Sequence, residues 1–212
     1  MTYQDLCTYL ALDKNFALAR YGDGEFLCAS GAKGENCDRH RYFPTLGLEL
    51  RKILNTPQEY VMAAQPTEHG LYSDRDKYQQ NWTDADLMHK ASEEGKIKQL
   101  IDALSQRNVI VVGNNRHKAL NKHIRVWEFV EVPMINAWTF YPKLLPSVLH
   151  LAMKNENVVF LFMAGMTTNV LIDKCYKANK NNTYLDCGSV FDIYLGKKTR
   201  SYHDRVNPKW IE

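Results

Sequence analysis

The sequence has no Cys-x-x-Cys pair, and its five cysteines (Cys7, Cys28, Cys37, Cys175 and Cys187) are odd in number. A disulfide framework and a structural zinc site are both disfavoured, and a reducing, cytoplasmic setting is expected. Long apolar runs are also missing. The longest, Val158 to Met166, falls far short of the ~20 residues that a spanning helix needs, so no membrane contact is predicted. No basic stretch precedes Leu6–Leu12, and Asp5 stands directly before it, which predicts no secretory signal. No G-x-G-x-x-G follows a predicted strand, and neither G-x-x-x-x-G-K-[ST] nor G-x-S-x-G occurs. A dinucleotide fingerprint, a P-loop NTPase and an α/β-hydrolase nucleophile are thereby set aside. Repeats, low-complexity tracts and Pro/Ser-rich linkers are absent as well. The 212 residues, 45% apolar and 24% charged, read as one globular domain over 1–212.

The net charge is only +3, but it is unevenly placed. From Gly196 to Glu212 there are five basic residues against two acidic ones, an excess equal to the net charge of the whole chain. From Arg107 to Arg125 there are five Arg or Lys, with His117 and His123, and no acid. Such clusters suit a polyanion, because phosphates respond to local potential; a solvated basic helix and tail have the same composition.

Apolar runs at Phe16–Arg20, Tyr60–Ala64, Val109–Gly113, Arg125–Val132, Val158–Ala164 and Thr183–Asp186 read as strands. Helical periodicity marks Leu46–Leu54, Thr83–Leu104, Pro142–Lys154 and Thr167–Ala178, and Thr83 with Asp86 resembles a capping box. The alternation predicts a Rossmann-like α/β fold with a mostly parallel sheet flanked by helices. Thr67–Trp82 has no period and reads as the longest loop.

In such sheets ligands bind beyond the carboxyl ends of the strands. Four strand ends rich in Gly and short polar residues stand out: Arg20 to Glu25, Gly113 to Arg116, Ala164 to Thr168, and Asp186 to Ser189. In the first, Asp23 and Glu25 point the same way if the backbone stays extended. Such a pair can hold Mg²⁺ or Mn²⁺ beside diphosphate oxygens, while Arg20 offers a fork for phosphate. The same residues also make an ordinary Gly-Asp-Gly turn. At the third, Thr167 and Thr168 open a helix whose N-terminus suits phosphate, or simply cap it. Asp186 is placed as a ribose or acceptor ligand or as a cap, and Asp192 and Arg200 are placed to pair. His69, His117 and His203 have no spaced partner and indicate no catalyst.

The block from Phe16 to Phe26 resembles the opening signature of the bacterial and phage glycosyltransferases of the GT-D fold, in which R-[FY]-G-D-G-E carries an Asp-X-Glu metal motif. Val109–Gly113, Pro133 to Ala137, Val158–Leu171 and Tyr184–Ser189 follow in that family's order, so the likeness spans roughly residues 15 to 202. Family members often have Asp-Ile-Gly-His where this chain has Asp186 to Ser189, which leaves the histidine's role vacant. The resemblance implies transfer from a nucleotide sugar, a UDP-sugar, with a divalent cation held by Asp23 and Glu25. Arg20, Gly22, Gly24, Asn114, Asn136, Gly165, Thr167, Thr168 and Ser189 would then line the nucleotide-sugar site. An inverting reaction needs a base, for which Asp186, Asp192 and Glu68 are the candidates; a retaining one changes that need. Compact form also resembles phage-encoded members, for which a hydroxylated or hydroxymethylated DNA base is a natural acceptor. Arg116, Lys118, Lys197, Lys198, Arg200 and Tyr202 would contact the acceptor or its phosphates; otherwise the acceptor is a glycan or glycoprotein. Two other readings stand beside this one. A non-catalytic nucleotide or nucleic-acid binding module could keep the same fold, and a methyltransferase could use Gly113-Asn-Asn as its cofactor turn.

Overall fold

Apolar side chains alternate along strands that are buried on both faces, and this alternation builds a two-sided core. In the computed structural model, which describes residues 1–65 and 75–211, seven strands form one sheet. They are β1 (Ala17–Tyr21), β2 (Val61–Ala64), β3 (Trp82–Asp84), β4 (Asn108–Gly113), β5 (Val126–Glu131), β6 (Val158–Met163) and β7 (Thr183–Asp186). Their order is β3-β2-β1-β7-β6-β4-β5, and every pairing is parallel. The helices are α1 (Tyr3–Ala11), α2 (Asp23–Ser30), α3 (Pro44–Leu54), α4 (Leu87–Glu93), α5 (Ile97–Ser105), α6 (Tyr141–Lys154) and α7 (Thr167–Ala178). The expected α/β class with a parallel sheet flanked by helices is what the chain adopts.

The period of two sorts the core. Val158, Phe160 and Phe162 of β6 pack with α2, α3, α6 and α7, while Val159, Leu161 and Met163 pack with α1, α4 and α5 on the other face. In β1, Ala17, Ala19 and Tyr21 join the first layer and Leu18 the second. Arg20 follows Leu18 by two residues and therefore points toward α4. All strands run the same way, so their carboxyl ends share one edge. Among the described residues, no helix is long and apolar enough to cross a membrane.

Three local readings change. The helix expected over Thr83–Leu104 is a strand and two helices. Trp82, Thr83 and Asp84 pair with Met62, Ala63 and Ala64 as β3, which removes Thr83 from any capping box. Asp84 Oδ1 accepts the Asp86 N–H at 2.8 Å and turns the chain into α4. Gly95, at φ 74°, then takes the left-handed conformation that separates α4 from α5. The Ile97, Leu100, Ile101 and Leu104 stripe belongs to α5 alone. Second, Asp23 and Glu25 lie in the first turn of α2 rather than on extended backbone. Third, part of the Thr67–Trp82 loop, with Glu68 and His69, lies outside the described residues. Arg75–Lys77 forms a short helical turn, and Trp82 belongs to β3.

Candidate active site

A cleft of about 570 Å³ opens at the carboxyl edge of the sheet, over the ends of β1, β2, β3, β6 and β7. That size is in the range of small-molecule sites. Six carboxylates line it: Asp38, Asp86 and Glu93 are paired with Arg200, His89 and Arg205, while Asp23, Glu25 and Asp186 make no ion pair among the described residues. The chain leaves β1 at Tyr21, and Gly22 caps α2. Glu25 Oε2 reaches back to accept the Gly22 N–H at 2.9 Å, while Asp23 Oδ1 accepts the Gly24 N–H at 2.7 Å. Asp186, at the end of β7, accepts the Arg20 N–H at 3.2 Å and the Gly188 N–H at 3.0 Å. Burial pushes the Glu25 carboxyl up to about 7, with the Asp186 and Asp23 charges adding to the rise against the Gly22 N–H. Burial likewise lifts Asp186 to about 6, against the pull of the Arg20 guanidinium and its two N–H donors. Crowded, desolvated carboxylates at a cleft edge mark a candidate functional site.

Four cations line the cleft; Lys90 is paired with Asp84 and Arg205 with Glu93, and the other two are Arg20 and Arg200. Arg20 Nε donates to the Ala85 carbonyl at 2.9 Å, and Nη2 meets His89 Nε2 at 2.9 Å. Gly188, at φ 51°, leaves room for this side chain; a Cβ there would lie 2.7 Å from Arg20 Nη1. Arg200 reaches from the C-terminal segment and makes a two-pronged pair with Asp38, not with Asp192. Gly22, Gly165, Ser189 and Tyr202 also line the cleft.

The remaining expected site residues lie elsewhere, each for a visible reason. Asp192 is buried off the cleft, accepting from Arg116 at 2.8 Å, His117 at 3.1 Å and Thr199 at 2.6 Å. Burial opposes its charge, but His117, Thr199 and Arg116 together hold its carboxyl below the ordinary range. It is a structural anchor, so its reading as a candidate base is corrected. His117 is thus partnered, and His203 is buried with Nδ1 accepting the Thr199 N–H at 3.1 Å. Asn114 caps the helical turn Asn115–Lys122, and Asn136 accepts the Arg41 N–H at 2.8 Å; neither lines the cleft. Thr168 is buried and accepts the Ala164 N–H at 3.1 Å, tying α7 to β6 instead of offering itself to phosphate. Thr167 and Gly24 are buried beside the cleft rather than lining it. Lys118 pairs with Glu131 and Lys198 with Asp204, while Lys197 is exposed away from the cleft. Arg107, from the first basic stretch, precedes β4 at the opposite edge and is buried against Asp13 and the Leu10 carbonyl. The turn after β4 is packed by His117, where a Cβ on Gly113 would lie 2.6 Å from Nδ1, so no cofactor turn forms there.

Sequence reasoning missed His89, Asp86, Gln65 and Asp38. Reading Thr83–Asp86 as a helix start concealed a strand end, and the carboxyl-end rule would otherwise have pointed there. His89 and Asp38 have no local signal, since their partners Arg20 and Arg200 lie 69 and 162 residues away.

No group of three or more His, Cys, Asp or Glu forms a ready metal cage among the described residues. The carboxylates nevertheless fit a hard cation. Asp23 and Glu25 each use one oxygen on a backbone N–H and keep the other. Mg²⁺ and Mn²⁺ bind through one or two carboxylates, with water and ligand phosphate completing the shell.

No family model and no curated protein matches this chain. Two solved structures share its fold. One, reported to show that the highly conserved domain of unknown function 1792 has a distinct glycosyltransferase fold, superimposes with a TM-score of 0.64 at 15% identity, covering 92% of this chain and 79% of that one. The other, a selenomethionine-substituted structure of the same domain, gives 0.66 at 16% identity with the same coverage. At that identity the likeness speaks for the fold. The chain is an α/β protein of glycosyltransferase-like fold.

Proposed function

We propose that the chain is a metal-dependent glycosyltransferase that moves a sugar from a UDP-sugar to an acceptor hydroxyl. The observation that carries this is the gathering of Asp23, Glu25, Asp186 and Arg20 in one cleft at the carboxyl edge of a sheet of this fold. Asp23 and Glu25 are the residues that would hold Mn²⁺ or Mg²⁺. When bound, the cation supplies Lewis-acid stabilisation of charge on the departing diphosphate. Arg20 holds phosphate from the α4 side, and Arg200 stands across the cleft from the C-terminal segment. Asp186 takes the proton of the acceptor hydroxyl as that oxygen bonds to the anomeric carbon. The bond from the anomeric carbon to the phosphate oxygen breaks, and the nucleoside diphosphate leaves with the electron pair. A carboxyl titrating near 6 is a capable base at neutral pH.

A binding module that holds no cation is disfavoured by the same carboxylates. Placing three of them together without a salt-bridge partner among the described residues opposes folding unless a cation or a reaction uses them. Duplex DNA as acceptor draws less support from the structure than from the sequence. Arg107, Arg116, Lys118, Lys198 and Arg205 are each paired with a carboxylate. Steep loss of duplex binding with added salt would restore that acceptor.

The test is UDP release from UDP-glucose, UDP-galactose, UDP-GlcNAc and UDP-arabinose with Mn²⁺, with and without chelator. Turnover that disappears on chelation and drops at least ~10³-fold in the Asp23→Asn/Glu25→Gln double variant supports the proposal. Wild-type chain that neither releases nor binds UDP overturns it.

A further inference from the structure

Behind the cleft, one histidine is held in a single protonation form by its neighbours. His89, on α4, places Nε2 at 2.9 Å from Arg20 Nη2 and Nδ1 at 3.2 Å from Asp86 Oδ1. A guanidinium has only donors, so Nε2 must offer its lone pair. The ring proton therefore sits on Nδ1 and is donated to Asp86. Gln65 Nε2 holds that carboxylate at 3.0 Å, and the Asp86 N–H is tied to Asp84. The Tyr202 ring stacks on the imidazole with centroids 4.3 Å apart and planes 24° from parallel. On its other side, Arg20 has Nε fastened to the Ala85 carbonyl. Nη1 lies against Gly188 and makes no hydrogen bond among the described residues.

We propose that His89 is a positioning residue: as a lone-pair acceptor backed by Asp86 and clamped by Tyr202, it fixes the Arg20 guanidinium so that Nη1 stays free to take an anionic oxygen of the bound nucleotide. This rests on the UDP-sugar reading for the identity of the anion, but the fixation itself does not. A protonated imidazole would repel Arg20 and lose the bond; burial and the Arg20 charge keep the ring neutral down to about 4. Glutamine at position 89 keeps an acceptor oxygen for Arg20, whereas alanine removes it.

The first experiment reads the tautomer directly, from the ¹⁵N and ¹³C shifts of the His89 ring in the intact chain at neutral pH. The Nδ1–H form in the wild-type chain is the expected result; Nε2–H or imidazolium there overturns the proposal. The second is UDP affinity by calorimetry with Mn²⁺. His89→Ala is expected to bind about tenfold more weakly and His89→Gln within about threefold of wild type. Equal affinity in all three chains overturns the proposal. A wild-type chain that binds no UDP overturns the glycosyltransfer reading instead, and the tautomer then decides the fixation alone.

Discussion

Asp186 and Asp192 stand six residues apart on the segment that leaves β7, and both are buried. Their surroundings differ. Asp186 meets two backbone N–H groups and feels the Arg20 charge but has no ion pair among the described residues, and burial lifts its carboxyl to about 6. Asp192 meets Arg116, His117 and Thr199, and its carboxyl is held low. Burial alone raises any carboxyl, so the partners decide the outcome. One aspartate is left available for protons, while the other ties the C-terminal segment, with Thr199 beside Arg200, to the end of β4. A buried carboxylate in a sequence is therefore not evidence of catalysis until its partners are known.

Substitution separates the two. Asp186→Asn is expected to lower kcat at least ~100-fold, because the base is removed. Asp192→Ala is expected to destabilise by about 3–5 kcal/mol in urea melts, because it strips a buried ion pair of its acid. If Asp192→Ala unfolded no more easily than wild type, the contrast between the two residues would collapse.

pH sharpens the comparison from the side of a base. The folded imidazole of His89 protonates only near 4, against ~6.5 when unfolded. Between those values the unfolded chain binds more protons, so this contribution to stability is full above about 6.5 and shrinks as pH falls toward 4. Lowering pH from 7 to 5 should therefore remove about 2 kcal/mol that His89→Gln does not lose, read as the difference between their urea midpoints at the two pH values. At the small end, Lys118→Met, which breaks the exposed pair with Glu131, should shift stability by no more than ~0.5 kcal/mol and leave UDP release untouched.

How much of this could be read beforehand varies by element. β4 and β6 were legible because strands buried on both faces are continuous apolar runs. The place of the Arg20 to Glu25 block at the cleft was legible because it follows an apolar strand, and the carboxyl ends of parallel strands share one edge. The conformation of that block was not legible. Glu25 capping Gly22 turns it into a helix start, where Asp23 and Glu25 sit two positions apart in one turn. β3 was hidden because Thr83 and Asp86 mimic a cap, and only pairing with β2 reveals Trp82–Asp84 as strand. With β3 went His89 and Asp86. The basic stretches looked like anion-binding surfaces because composition does not show that Asp13, Asp192 and Glu131 reach them.

The sequence by itself determined the α/β class, the strands that fill the core and the strand end where Asp23 and Glu25 gather. Those follow from periodicity and local backbone preference, which act over a few residues. Only the tertiary structure decided which charges meet: Arg20 with His89, Arg200 with Asp38, Asp192 with Arg116 and His117. Electrostatic and hydrogen-bond energies depend on separations of a few ångströms in space, and parallel crossovers bring together residues that lie 69 to 162 positions apart in the chain.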